Sequence, residues 1–199
     1  MKWQGESVAD TNSEIIRQIL HRSSEPALSG PAPSGQELEQ CLSCALRAPD
    51  HALLHPWRYL VIEGEGREAL GRAWQQAVLN EDPQASDALL AKAKRLPLRA
   101  PMLIVGITVY QEHPKVPLRE QTVSTGVGMG YLLLALESLG YGGMWRTGAM
   151  AYHPVIRAAL KIAEHESITG ILYVGTPSAR KGPTPVPALD KHVQHWPLP

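Results

Sequence analysis

Phenylalanine is absent from this chain, and only two cysteines occur among its 199 residues. The missing phenylalanine has no physical account. The scarcity of cysteine excludes more. Cys41 and Cys44 stand in Gln-Cys-Leu-Ser-Cys-Ala-Leu, a spacing that puts both near one face of a helix. A thioredoxin-like redox pair sits instead in a strand-to-helix turn. No second cysteine pair exists to complete a zinc site. Both cysteines are therefore expected in the core, since free cysteine is among the most buried residue types.

An excess of charge is lacking too. Lys+Arg and Asp+Glu each total 19, so the formal net charge is zero. Without a basic run the chain has no electrostatic reason to track a nucleic-acid backbone or an anionic membrane. Its expected partners are small molecules or a second copy of itself. No window approaches the ~20 apolar residues of a membrane span. The start, Met1-Lys-Trp-Gln-Gly-Glu-Ser7, lacks the apolar stretch of a signal peptide. A soluble, cytoplasmic protein is expected.

Several site signatures are missing as well. Gly126-x-Gly-x-Gly130 is not Gly-x-Gly-x-x-Gly, and it lies inside a helical run. Glu63-Gly-Glu-Gly66 follows a strand but places carboxylates where a pyrophosphate would sit. No phosphate loop or Gly-x-Ser-x-Gly elbow occurs, so neither that nucleotide site nor a serine nucleophile is expected. His51 and His55 have metal-ligand spacing only on a continuous helix, and Pro49 and Pro56 bracket them. No metal site is expected, and no dedicated catalytic acid or base stands out.

What is present is a 44% hydrophobic chain, enough for one core and a single domain over residues 1–199, with 1–10 and 177–199 as extended termini. Periodicity predicts helices over Thr11–His21, Gln36–Arg47, Arg67–Leu79, Ser86–Arg95, Gln121–Leu139 and His153–Ile162. Strands are expected at Trp57–Ile62, Pro101–Tyr110 and Ile168–Val174, with a short strand or turn at Tyr141–Trp145. Glu25–Gly35 carries three prolines and reads as a fixed, extended connection. Glycines 126, 128 and 130 cost the longest helix propensity, so something should approach its backbone closely there. Scattered strands among more numerous helices suggest an α+β arrangement, a mixed central sheet with helices on both faces.

Two islands carry the chemistry: Arg47-Ala-Pro-Asp-His51 running into Pro56-Trp57, and Gly142-Gly-Met-Trp-Arg-Thr147. Each sets a guanidinium beside turn-forming residues and a flat ring, where backbone can approach a planar anionic ligand and arginine can fork onto its oxygens. Together they suggest a flavin nucleotide. Arg22-Ser-Ser24, the first island, Pro56-Trp-Arg-Tyr-Leu-Val-Ile62, Lys115-Val-Pro117, the second island and Tyr173-Val-Gly-Thr-Pro177 come in that order. The set resembles the FMN-dependent nitroreductase family in its short YdjA-like branch, from about Ile15 to Pro177.

The resemblance implies a nitroreductase-like α+β fold and an obligate homodimer with FMN at the interface. Carried over by position, Arg22, Ser23 and Ser24 would hold the phosphate or ribityl chain. Arg47 and His51 would reach a flavin, and Trp145, Arg146 and Thr147 would pass along its ring. The family usually shows Arg-Arg-Ser where this chain has Arg22-Ser23-Ser24, so one phosphate-side cation is missing. The implied activity is ping-pong hydride transfer from NADH or NADPH through FMN to nitroaromatics, quinones or similar electron-poor acceptors. A non-catalytic flavin-binding homodimer, a carrier or sensor, is the alternative. Each residue also has a plainer role open to it: Arg22 at a helix end, Arg47 paired with Asp50 or Glu39, and Trp57 and Trp145 as ordinary core.

Overall fold

The computed structural model describes residues 13–196. The chain forms two compact units, residues 1–23 with 181–199, and residues 24–180. In the first, helix α1 spans Glu14–His21, capped by Ser13, whose side chain accepts from the Ile16 N–H. The predicted start at Thr11 and the extended residues 1–10 lie outside the described residues. Ile15, Ile16 and Ile19 remain exposed on α1. Over the described residues 181–196 the chain is irregular, except for one 3-10 turn at Leu189–Lys191.

The second unit runs β1 (Leu28–Ser29), α2 (Gly35–Ala45), β2 (Trp57–Glu63), α3 (Glu65–Glu81), α4 (Asp87–Arg95), β3 (Met102–Val109), α5 (Leu118–Ser138), β4 (Gly142–Arg146), α6 (Pro154–Ala159) and β5 (Glu166–Pro177). The apolar run of β3 is buried along nearly its whole length, as a strand covered on both faces must be. The predicted His153–Ile162 helix is shorter than its periodicity suggests. Lys161 takes a left-handed φ of 51°, which a helix interior does not allow.

The sheet is not mixed. β5 pairs with β1, β3 and β4, and β2 pairs with β3, every pair antiparallel. Two helices, α3 and α4, separate β2 from β3 and bring the chain back antiparallel. The single helix α5 joins β3 to β4, which run alike but lie on either side of β5 and never pair with each other. Strand spacing along the sequence carries no information on that insertion.

Helices do cover both faces. One face packs Leu103, Val105, Ile107, Ile171 and Tyr173 against Leu70 and Trp74 of α3 and Ile156 of α6. The other packs Met102, Ile104, Leu172 and Val174 against Cys41 of α2 and Met129, Leu132 and Leu136 of α5. Cys41 is in this core, but Cys44 is exposed, contrary to expectation. Leu38, Leu42 and Ala45 all pack on one side of Cys41 around the helix, and Cys44 falls on the other.

Gly106 stands opposite Gly170, yet Ile107 stands opposite Ile168, so Thr169 is one extra residue in β5. This bulge lets Ile168 and Ile171, three apart, join the same core face. The Thr169 hydroxyl is fixed to that of Thr108 at 2.6 Å.

Close backbone approach is found at Gly128 but not at Gly130, which has open space where a Cβ would stand. A Cβ on Gly128 would stand 2.7 Å from the Ala45 carbonyl oxygen and 2.5 Å from the Tyr59 hydroxyl. Gly128→Ala should therefore lower the free energy of unfolding in urea by about 2 kcal/mol, despite alanine's better helix propensity. Gly130→Ala should be neutral or stabilising.

Candidate functional site

β4 forms an edge of the sheet, and its hydrogen-bonding parity is settled by one contact. The Gly143 carbonyl accepts from the Glu25 N–H at 3.1 Å, so Gly143 turns its polar backbone away from β5. Two residues on, Trp145 must do the same, because strand backbone alternates with a period of two. Its N–H and C=O therefore face the open edge, where no described group bonds them.

The side chains of β4 alternate as well. The Trp145 indole lies on the α5 side, over Gly170, with its ring edge 4.0 Å from where a Cβ on Gly126 would be. Any side chain on Gly170 would overlap the indole nitrogen outright. Gly170→Ala should thus displace Trp145, lowering stability by about 2 kcal/mol and changing the near-ultraviolet circular dichroism. Gly126→Ala, in open space by comparison, should leave that signal intact.

Arg146 points to the opposite face, with its guanidinium carbon 5.6 Å from the centroid of the Tyr173 ring. Together with Thr147 it borders a cavity of about 480 Å³, which Trp145, Trp74, Arg99 and Tyr173 also line. Burial raises the Tyr173 phenol pKa, and the charges of Arg146 and Arg99 oppose that rise. The second island thus offers a free backbone donor and acceptor, a fixed indole and a cation within four consecutive residues, Met144–Thr147.

The first island is built on a strained loop. Ala52, Leu53 and His55 all have left-handed backbone, with φ of 63°, 54° and 48°. Such conformations cost about 1 kcal/mol or more each in residues with a Cβ. The loop is held by the Asp50 carboxylate, which accepts from the His55 N–H at 2.6 Å, and by Gln111, which donates to the Leu54 carbonyl at 2.8 Å. The strain brings His51 to the first turn of α5, where its Nδ1 lies 2.9 Å from Glu120 Oε2. A carboxylate on Nδ1 fixes the ring and leaves Nε2 for a ligand. Glu120 is a partner that local sequence gave no sign of, 69 residues away in the chain.

Arg47 is exposed just past the end of α2 and pairs with neither Asp50 nor Glu39. Arg22 is the C-cap of α1; among the described residues only its backbone N–H is engaged, by the Gln18 carbonyl. Ser23 is buried and Ser24 exposed, so the two adjacent hydroxyls meet different surroundings. Trp57 is core, as its plainer role required, with its ring edge-on to His55 at 5.9 Å. Among the described residues no three His, Cys, Asp or Glu side chains converge as metal ligands. No described helix is long and apolar enough to cross a membrane.

Among the described residues of the second unit, the unpaired Arg47 and the unpaired backbone edge at Trp145 are each of a kind that suits a planar, anionic group: a cation for its oxygens and an amide for a ring acceptor. The profile of the Nitroreductase family matches residues 19–176. The Escherichia coli (strain K12) protein named "Putative NAD(P)H nitroreductase YdjA" is 36% identical over 167 residues, 84% of this chain and 90% of that protein. A nitroreductase-like family protein from Bacillus cereus has the same fold, with a TM-score of 0.79 at 23% identity, covering 94% of this chain and 98% of that one. A variant of NfnB, an FMN and NADPH-dependent nitroreductase from sphigopyxis sp. strain HMH, reaches 0.73 at 18% identity, covering 94% and 100%.

Proposed function

The chain belongs to the nitroreductase family, and from that premise we propose that it is an FMN-dependent NAD(P)H oxidoreductase acting as a homodimer. The observation that carries the reading is the open edge at Trp145, an unpaired amide beside a fixed indole and the Arg146 cavity. FMN, when bound, supplies hydride acceptance and donation, the chemistry that no side chain here provides. The residues of the chain bind and orient. Arg22, Ser23 and Ser24 take the phosphate or ribityl chain, Arg47 and His51 reach the flavin, and Trp145, Arg146 and Thr147 run along its ring. NADH or NADPH and the electron-poor acceptor occupy one exposed face in turn, which is a ping-pong order. Water supplies protons, so no dedicated acid is needed.

The second copy is supported by α5. Its buried face carries Met129, Leu132 and Leu136, yet Leu118, Val123 and Tyr131 are exposed on other faces of the same helix. A helix apolar on several faces is covered on all of them in the working assembly. A second copy placed on α5 would lie next to His51, whose partner Glu120 is in the first turn of α5.

The test is the visible absorption spectrum of the purified protein before and after NADPH is added without oxygen. A flavin spectrum that bleaches is the expected result. A flavin spectrum that stays yellow with both NADPH and NADH would favour the carrier or sensor reading. A colourless protein that takes up no added FMN would overturn both.

A further inference from the structure

The cavity beside Arg146 holds more positive charge than a flavin ring edge needs. Arg99 and Arg146 both line it, and no carboxylate does. Neither guanidinium has a carboxylate or hydrogen-bond partner among the described residues; Arg146 has only the Tyr173 ring beneath it. Tyr173 is 5% exposed and lines the same cavity, and its hydroxyl has no hydrogen-bond partner among the described residues. That hydroxyl is left to donate to a ligand in the cavity, and the Trp74 indole N–H, buried in the same lining, has no hydrogen-bond partner among the described residues. A buried donor without a partner forfeits hydrogen bonding that water would have given it, so a ligand that accepts from it gains the difference. Trp74 and Tyr173 add flat aromatic surface to the wall.

These features fit one kind of guest. A guanidinium stacked on a ring keeps its in-plane N–H groups free to fork onto an oxyanion. Arg99 supplies a second fork and Tyr173 an O–H donor, while the aromatic walls favour a planar body. We propose that the Arg99–Arg146–Tyr173 cavity is a subsite for the anionic group, a carboxylate or a phosphate, of a substrate with a flat ring. Placing that ring against the Trp145–Thr147 edge rests on the flavin reading; the anion site itself does not. Two sources have this chemistry, the carboxylate of an aromatic acceptor and the phosphate of the nicotinamide coenzyme.

Isothermal titration calorimetry on the purified protein, with and without added FMN, separates them. The probes are 4-nitrobenzoate, its neutral counterpart nitrobenzene, and nicotinamide mononucleotide. An anionic probe should bind about tenfold or more tightly than nitrobenzene, as charge-assisted hydrogen bonds require. Arg99→Gln should weaken the anion about tenfold and nitrobenzene hardly at all, and Tyr173→Phe should weaken it about three- to fivefold. Arg95→Gln, at the exposed end of α4, is the control and should change nothing. Binding of 4-nitrobenzoate alone assigns the site to the acceptor, and binding of the mononucleotide alone assigns it to the coenzyme; either outcome supports the anion site. Affinity for nitrobenzene equal to that for both anionic probes, or indifference to both Arg99→Gln and Tyr173→Phe, overturns it. So does loss of binding when FMN is added, since the cavity would then belong to the cofactor. A protein that takes up no FMN but binds the anion through Arg99 would sink the flavin reading and leave this one standing.

Discussion

Replacing Arg22 and Arg47 together with alanine should weaken FMN binding by about a thousandfold while leaving the fold intact. Each guanidinium held against a charged or strongly polar acceptor is worth about 1.5–3 kcal/mol, so two together amount to roughly 10² to 10⁴ in affinity. Neither side chain is engaged by another described residue, so the substitutions break no internal pair. Surface changes of that kind usually stay within about 0.5 kcal/mol in stability. The single variants should also differ in kind. If Arg22 serves the phosphate, Arg22→Ala should erase the preference for FMN over riboflavin. Arg47→Ala, acting nearer the ring, should weaken both flavins alike. Flavin fluorescence titrations read all four affinities. An FMN affinity unchanged in the double variant would show that the phosphate and ring assignments are wrong.

The second large effect is on stability at low pH. Arg58 on β2 donates from Nε and Nη2 to the two carboxylate oxygens of Glu166 on β5, at 2.6 and 2.7 Å. The Ala163 N–H donates to the same carboxylate at 2.9 Å. The hydrogen bonds from Arg58, then the Ala163 N–H and the Arg58 charge, outweigh burial and hold the Glu166 carboxyl at about 2, against an ordinary 4.5. Because the folded pKa lies below the unfolded one, this stabilisation is fully present above pH ~4.5 and lost as pH falls toward ~2. A shift of this size corresponds to roughly 3 kcal/mol, and the partial exposure of Arg58 reduces it to about 2. Glu166→Gln should thus cost about 2 kcal/mol at pH 7, or roughly 4–8 °C in Tm for a chain this long. The gap between the two proteins should close as pH approaches ~2. A gap that stays constant from pH 7 to pH 2.5 would mean that Glu166 acts by shape alone.

Part of this architecture is legible in the sequence because its causes are local. The apolar run 102–108 can only be a strand covered on both sides, and Ser86 caps α4, accepting from the Leu89 N–H. The full reach of β5 was not legible. Its first residues, Glu166, Ser167 and Thr169, look like a polar loop, and only Arg58, 108 residues away, makes Glu166 a buried strand residue. The left-handed loop at Ala52–His55 was hidden as well, since no glycine or asparagine there announces positive φ; Asp50 and Gln111 impose it.

At the candidate site, the ordered motifs brought out Arg146 and Trp145. That their side chains go to opposite faces of the sheet followed only from the pairing of β4 with β5. Arg99 could not have been found. It is one of 19 Lys and Arg residues, with no motif around it, and it gains meaning only from the ring of Tyr173 across the cavity.

The extra residue at Thr169 has an evolutionary consequence. Removing it would reverse the parity of one arm of β5 relative to the other. Held in register at its polar end, the strand would turn Ile171 and Tyr173 toward α5 and Leu172 and Val174 toward α3. Both hydrophobic interiors would lose their shape together, and the tyrosine facing Arg146 would leave the cavity. No point substitution nearby could restore the phase, because only a second change of length can. In any lineage descending from this protein, insertions and deletions should collect in the loops and spare β5. That strand is free to vary its letters but not their number.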